Sequence, residues 1–435
     1  MKTIKVDSSI TRKDIQIGVF GLGFVGLTTA LGFAEQGFIV KGYDVDAARL
    51  KTIAAGTLPF LEPGLDEALK RHLKNRFLSA ESAVEAARES DVLFFCVGTP
   101  CGDQGRADLT YLLAALDSTL PVLRDGRFRT LVVKSTVPPG TTESKVIPHL
   151  REKGFYDGEG FAVANNPEFL REGKCWEDFM HPDRIVCGTQ NKQAAALLQA
   201  IYAPFAAPVH IVSLNTGEFI KYLSNTLLAS LISYSNEMAV IANAIGDIDT
   251  GQAFRILHED KRLRGSGIAS YIFPGCGYGG YCLPKDTQAM AEQAKVHGVE
   301  PRLLSDVIAI NNDMPAYFVE KVVSSTPTDK CIGILGLSFK PDSDDVRDSP
   351  AAHLIRQLLQ AGYTHLYAYD PVANVSFDAL YGWPQVRYCN DREEVCRKSD
   401  VILVATAWSE FKELPLVFPD KHWIDCRYFL HYDHE

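Results

Sequence analysis

IQIGVFGLGFVGLTTALGFAEQG, residues 15–37, sets a β-branched run, a glycine-rich turn and an apolar helical stretch in direct succession. Gly21, Gly23 and Gly26 carry the G-x-G-x-x-G spacing. One glycine permits a tight turn, one lets backbone approach a pyrophosphate, and one lets the helix pack on the strand. The helix N-terminus, with Val25 in its first turn, offers free N–H groups and about half a positive charge to phosphates. The next run, FIVKGYD, ends on Asp44, about twenty residues further on, where a carboxylate hydrogen-bonds a ribose 2′-hydroxyl and repels a 2′-phosphate. The expected cofactor is therefore NAD rather than NADP. Arg49, one helical turn on, faces either the adenosine end or solvent, and Thr99 in FFCVGTP is either a ligand contact past a strand end or an ordinary turn threonine.

Outward from this stretch, short β-branched runs alternate with helical patterns through about residue 215. The candidate strands cover 15–20, 39–44, 92–97, 130–134, 162–165 and 209–212, which argues for βαβ crossovers and a mostly parallel sheet. From Thr216 to about Ser325 the strand signal vanishes and a long helical pattern begins with EFIKYLSNTLLASLISYSNEMAVIANAIG. Near Lys330 strands return in CIGILGL, HLYAYD, VILVAT and HWIDC. The expected fold is α/β, with two Rossmann-like doubly wound domains joined by a long central helix and a helical region, and the working cleft between them. No tandem repeat is evident.

The 435 residues allow two to four domains at roughly 100 to 200 residues each, so a single small binding module is not expected. A net charge of −10 opposes general phosphate-backbone binding, so no nucleic-acid partner is expected. The ten cysteines form no CxxC pair, so neither a metal site nor a disulfide framework is expected. The first fourteen residues lack the apolar core of a signal peptide, and no run of about 18 uncharged apolar residues follows. The expectation is a cytoplasmic enzyme with reduced thiols and no membrane partner.

PGCGYGGYCLPKD, residues 274–286, is the second informative stretch. Its glycines, Gly275, Gly277, Gly279 and Gly280, bring backbone close to a neighbour, and Cys282 stands where the loop enters the helix DTQAMAEQAKVHG. A thiol at a helix N-terminus near Lys285 is expected to have its pKa lowered from about 8.5, which suits a nucleophile. Cys276 reads as a packing thiol or as a redox brake on Cys282. On the long helix Lys221 and Asn225 stand i, i+4, so both project from one face; a cationic donor beside an amide donor suits an oxyanion, and the same spacing also suits an ordinary surface pair. Thr136 in VVKSTVPPGTT, and Glu168 and Glu172 in ANNPEFLREG, follow strands of the first sheet.

Together GLGFVG, EPGL, STVPPGTT, NPEFLREG, PDRIV, EFIKYLSNTLLA, GYGGYCLPKD and GLSFKPDSDDVRDSP make the chain resemble the UDP-glucose/GDP-mannose dehydrogenase family over nearly its whole length. The resemblance implies an N-terminal extension (1–14), an NAD-binding domain (15–215), a central helical dimerisation domain with the cysteine loop (216–325) and a UDP-sugar-binding domain (326–435). It also implies a homodimer or larger homo-oligomer. The implied activity is a four-electron oxidation of a sugar C6 alcohol to a carboxylate, reducing two NAD. Cys282 resembles the nucleophile, Lys221 and Asn225 the groups that stabilise oxygen charge, and Glu168 the base and water-holder, assisted by Asp286 and Thr136. Glu172, Lys285 and Arg347 match positions around NAD.

For the substrate, the resemblance points to Glu168, Phe169, Leu170, Arg171 and Glu172 with Lys221 and Asn225, to Lys340, and to a loop of Tyr271, Ile272, Phe273, Pro274 and Gly275 with Gly279. A family arginine often reaches the substrate from the neighbouring subunit. KRLRG departs from the usual spacing; Arg264 is the choice and Arg262 the alternative. Tyr281 occupies a position where many relatives have serine. NPEFLREG with DFMHPDRIV and GYGGYC is more similar to UDP-glucose enzymes than to the N-acetylhexosamine branch, while GDP-mannose enzymes share NPEFLREG. Two other classes compete. A two-electron hydroxyacid dehydrogenase shares the glycine turn and the helical Lys-x-x-x-Asn, but it leaves Cys282 and the second α/β unit without a role. A non-catalytic NAD-binding interaction protein leaves Lys221, Asn225, Glu168 and Cys282 unexplained.

Overall fold

The computed structural model describes residues 15–100, 102 and 107–430, so the N-terminal extension lies outside the described residues. The chain divides into two units, residues 1–223 and 224–435.

The first unit holds eight strands: β1 (Gln16–Phe20), β2 (Ile39–Tyr43), β3 (Phe77–Ser79), β4 (Val92–Phe95), β5 (Arg129–Val133), β6 (Phe161–Asn165), β7 (Ile185–Gly188) and β8 (Val209–Val212). They form one sheet in the order β3-β2-β1-β4-β5-β6-β7-β8. Neighbours run parallel except β6 and β7, which meet antiparallel through Asn165 and Gly188. The strand order reverses between β1 and β4, the position at which such sheets open a ligand crevice beyond the strands' carboxyl ends. Helices cover both faces, so the central strands are buried on both sides and read as near-continuous apolar runs. β4, VLFF, and β5, RTLVV, are buried at every position.

The glycine turn after β1 divides its labour as the spacing predicts. Gly21 takes φ +86°, and a Cβ there would stand 2.9 Å from the Cys96 carbonyl oxygen. At Gly26 a Cβ would stand 1.7 Å from the Gly21 carbonyl oxygen, so only glycine lets the helix Phe24–Glu35 sit this close to the turn. At Gly23, the N-cap of that helix, a Cβ would meet no atom within 4 Å, so the backbone there stays approachable.

The second unit holds β9 (Ile332–Leu335), β10 (Leu366–Tyr369), β11 (Val386–Tyr388), β12 (Val401–Val404) and β13 (His422–Asp425), in the order β11-β10-β9-β12-β13 and parallel throughout. Its turn after β9 repeats the one after β1. Gly336 takes φ +88°. Its N–H donates to the Tyr369 carbonyl at 2.8 Å, as Gly21 donates to Tyr43 at 2.9 Å. The Leu337 N–H donates to Asp370 at 2.8 Å, as the Leu22 N–H donates to Asp44 at 2.7 Å. No repeat is visible in the sequence because backbone geometry, rather than residue identity, carries this correspondence.

The expected long helix runs over Leu214–Ile245, 32 residues. Three strands were not anticipated, β3, β7 and β11, each three or four residues long and so too short to develop a period-two pattern. Among the described residues no helix is long and apolar enough to cross a membrane.

Candidate active site

Beyond the carboxyl ends of β5 and β6 the first unit buries a charged cluster. Glu168 and Lys221 form an ion pair at 2.8 Å with side chains only 7% and 6% exposed. The other Glu168 oxygen accepts the Leu170 N–H at 2.6 Å. Burial opposes ionisation of Glu168, but the Lys221 charge and hydrogen bond, the Leu170 N–H and the nearby Lys134 together hold its carboxyl below the usual range. The group is therefore an ionised acceptor at neutral pH. The Phe169 ring contacts two cations, with the Arg184 guanidinium 4.2 Å and the Lys221 ammonium 5.8 Å from its centre. The Arg171 side chain engages Asp178 in a bidentate pair at 3.0 and 2.6 Å.

Around the glycine turn, Asp44 is buried and accepts the Leu22 N–H and the Arg49 guanidinium, each on Oδ2, at 2.7 and 2.8 Å. The Asp46 N–H uses one lone pair of Oδ1, at 2.9 Å. Arg49 thus belongs to the Asp44 corner instead of being merely solvated. Thr99 is buried and donates to the Thr136 carbonyl at 2.7 Å, tying the segment after β4 to the loop after β5. Glu172 is half-buried on the turn after Arg171. An approachable Gly23, a helix N-terminus and a carboxylate at the end of β2 fit a dinucleotide; Gly21, Gly23, Val25, Gly26 and Asp44 are the residues that would hold it.

In the second unit Cys282 is the N-cap of the helix Leu283–Val296. It is exposed, whereas the other described cysteines are buried or half-buried. Burial pushes the thiols of Cys96 and Cys187 up to about 12, which leaves them inert as nucleophiles. Cys276 is buried in the core of this unit with its thiol on the Ala405 carbonyl at 3.5 Å. Behind Cys282, Asp286 accepts Lys285 on one oxygen and the Asn225 amide on the other, both at 2.6 Å. Lys285 and Asp286 are buried in the helix's first turn. Arg347 forms a bidentate pair with Asp345, and its guanidinium lies 4.5 Å from the Tyr281 ring centre.

The loop Tyr271–Gly275 is fixed at two points: the Ile272 carbonyl meets His258 Nε2 at 2.7 Å, and the Gly275 N–H donates to Asn236 at 2.7 Å. The Phe273 ring packs on Phe254 and His258, Pro274 is buried, and a Cβ at Gly279 would stand 2.2 Å from the Asp348 carbonyl. Lys340 is half-buried beside the Phe339 ring. Arg262 is occupied by a bidentate pair with Asp260, and Arg264 is exposed.

Sequence reasoning missed Lys134. It is fully buried at the end of β5, with its ammonium 2.8 Å from Asn166 Oδ1, an oxygen that also accepts the Tyr202 hydroxyl. Burial lowers its pKa, partly offset by Cys96, Glu168 and Cys187. A lysine closing the otherwise apolar run TLVVK was the available signal.

Residues 15–206 match the family model described as the NAD binding domain of the UDP-glucose/GDP-mannose dehydrogenase family; residues 215–313 match its central domain and 333–432 its UDP binding domain. The chain is 36% identical over 405 residues to the UDP-glucose 6-dehydrogenase TuaD of Bacillus subtilis, covering 92% of this chain and 86% of that one. It superposes on a UDP-glucose dehydrogenase from the hyperthermophilic archaeon Pyrobaculum islandicum with a TM-score of 0.88 and 37% identity, covering 98% and 96% of the two chains. A UDP-D-ManNAc dehydrogenase from Pyrococcus horikoshii gives 0.83 and 28%, covering 96% of each. With three consecutive domains matched and a nucleotide-binding turn whose glycines do what the fingerprint requires, the chain belongs to the UDP-glucose/GDP-mannose dehydrogenase family and binds NAD through its N-terminal domain.

Proposed function

We propose that this enzyme oxidises the C6 alcohol of UDP-glucose to the carboxylate of UDP-glucuronate through a covalent intermediate on Cys282. The observation that carries the reading is the one exposed described cysteine, placed at a helix N-terminus with Lys285 and the Asn225–Asp286 pair in the same unit. Bound NAD supplies a hydride acceptor for each of the two oxidations, so two NADH form per sugar.

In the first oxidation C6 gives up a hydride and the alcohol proton passes through water to solvent, while Lys221 stabilises the developing oxygen charge. The Cys282 thiolate then adds to the C6 aldehyde, forming the S–C bond of a thiohemiacetal whose oxygen Asn225 steadies by donation. Loss of the second hydride leaves a thioester on Cys282. Glu168, held ionised by Lys221, takes a proton from the water that attacks the thioester; the C–S bond breaks and returns the thiolate. Thr136 and Asp286 assist at this step, Lys340 and Arg264 hold the nucleotide sugar, and Glu172, Lys285 and Arg347 hold NAD. A thiol nucleophile must stay reduced, which goes with a cytoplasmic setting.

Among nucleotide sugars UDP-glucose is favoured because the Bacillus subtilis and Pyrobaculum islandicum UDP-glucose enzymes stand at 36% and 37% identity and the UDP-D-ManNAc enzyme at 28%. A homodimer belongs to the same reading. Phe219, Leu223, Leu227, Tyr234, Ile241 and Ile245 are all at least 41% exposed and follow one face of the long helix.

The test is NADH production with UDP-glucose, GDP-mannose, UDP-N-acetylglucosamine and UDP-N-acetylmannosamine, with product identification. Two NADH per UDP-glucose and a glucuronate product are expected. One NADH with accumulating aldehyde refutes the thioester route, and preference for another sugar refutes the substrate. Cys282→Ala should abolish acid formation.

A further inference from the structure

The ring of Tyr281 contacts two cations of the second unit. The Arg347 guanidinium carbon is 4.5 Å and the Lys285 ammonium 5.6 Å from its centre. Each cation is held in turn by a carboxylate. Arg347 reaches Asp345 at 2.8 and 2.7 Å, and Lys285 reaches Asp286 at 2.6 Å. Two ion pairs from segments about sixty residues apart in sequence therefore meet at one aromatic ring. The backbone fixes the same junction, since the Gly280 N–H donates to the Arg347 carbonyl at 3.1 Å. Gly280 takes φ +78°, and a Cβ there would stand 3.0 Å from the Phe339 ring. Burial raises the Tyr281 phenol, so at neutral pH the ring stays uncharged and offers its negative face to both cations.

Both cations are restrained. Arg347 is held by Asp345 at its edge and by the ring on its face, and Lys285 by Asp286 and the same ring. A serine in place of Tyr281 would leave both ion pairs formed but would remove the ring contact they share, which fixes one relative to the other. We propose that Tyr281 is a positioning residue that sets the spacing of Lys285 and Arg347, so that the two cations meet the dinucleotide as a preorganised pair. The inference rests on the reading of those two residues as NAD contacts.

Steady-state kinetics on the full-length enzyme, varying NAD and UDP-glucose separately, test this with Y281F, Y281S and Y281L. Two cation–ring contacts at a half-buried site correspond to about a tenfold effect. Y281S and Y281L should therefore raise KM for NAD about tenfold, keep kcat within about threefold, and leave KM for UDP-glucose within about twofold. Y281F keeps the ring and should restore KM for NAD to within about twofold of wild type. Three results would overturn the proposal: an unchanged KM for NAD in Y281S, a Y281F variant as impaired as Y281S, or a Y281L variant as good as wild type, which would assign the effect to packed volume. If the wild type makes no NADH with any nucleotide sugar, the enzymatic reading fails instead. NAD affinity measured directly by titration calorimetry on the same four proteins then decides the role of the ring.

Discussion

The Glu168–Lys221 pair places a carboxylate and an ammonium 2.8 Å apart inside the first unit, and neither tolerates loss of the other. Removing one member of a buried pair leaves an uncompensated charge, at a cost of roughly 3 to 5 kcal/mol. Because the native pKa of Glu168 lies below its unfolded value of 4.5, its contribution to stability is fully present above pH 4.5 and is lost as pH falls through the depressed native value. Glu168→Gln should lower kcat about a hundredfold through loss of the hydrolytic base. It should also be less stable than wild type at pH 6, with the gap in urea midpoint narrowing at pH 3.5; a gap independent of pH would contradict the depressed pKa. Much of this residue scale was legible in the sequence. The glycines of the first turn act through their own backbone, and Glu168, Lys221 and Cys282 stand beside strand ends or on helix turns that local pattern reveals. Lys134 and the ring contacts of Tyr281 were not legible, because their partners, Asn166 and Arg347, arrive from 32 and 66 residues away and no local period encodes them.

At the scale of elements, Glu218 joins the long helix to the loop that follows β5. Its carboxylate accepts the Gly140 N–H at 2.6 Å, the Thr142 N–H at 2.8 Å and the Thr142 hydroxyl at 2.6 Å, at the start of a π-helical turn over Thr142–Val146. Burial nevertheless dominates these donors and raises its pKa to about 7. The sign of the linkage is opposite to that of Glu168. The native state holds this proton more tightly than the unfolded chain between pH 4.5 and 7, so stability falls as pH rises through that window, by the order of 3 kcal/mol in full. Glu218→Gln carries no such proton. Its urea midpoint should match wild type near pH 5 and exceed it at pH 8, and an equal difference at both pH values would exclude Glu218 as the titrating group. The elements themselves followed the sequence where patterns were long. The 32-residue helix and the apolar strands beside the switch points emerged from periodicity, whereas β3, β7 and β11 depend on neighbours to become strands at all.

At the scale of the whole molecule, each unit carries its own switch point, β1 against β4 and β9 against β12, with a positive-φ glycine and an acidic residue at the end of the neighbouring strand. Two such units and the helical region account for most of the 435 residues. The net charge of −10 works against extended polyanions more than against compact ones, since a few local cations such as Lys340, Lys285 and Arg347 can meet a nucleotide against an acidic background. What one chain leaves unsatisfied is the apolar face of the long helix. Leu227 is 48% exposed and Tyr234 52%, seven residues apart in the middle of a stripe from Phe219 to Ile245 that spans roughly 39 Å at 1.5 Å per residue. Side chains of this kind contribute about 1.5 to 3 kcal/mol each when fully buried, and less from half-exposed starting points, so several together on a two-fold interface suffice for a stable pair. A charge placed in the middle of such a face must be desolvated for the partner to approach. The double variant Leu227→Glu, Tyr234→Glu should therefore sediment with the mass of a single chain where wild type sediments with at least twice that mass. If Arg264 reaches the sugar nucleotide of the neighbouring subunit, monomerisation should raise KM for UDP-glucose more than KM for NAD. A wild-type protein that sediments as one chain at micromolar concentration would remove the dimer from the reading and leave the stripe for a different partner.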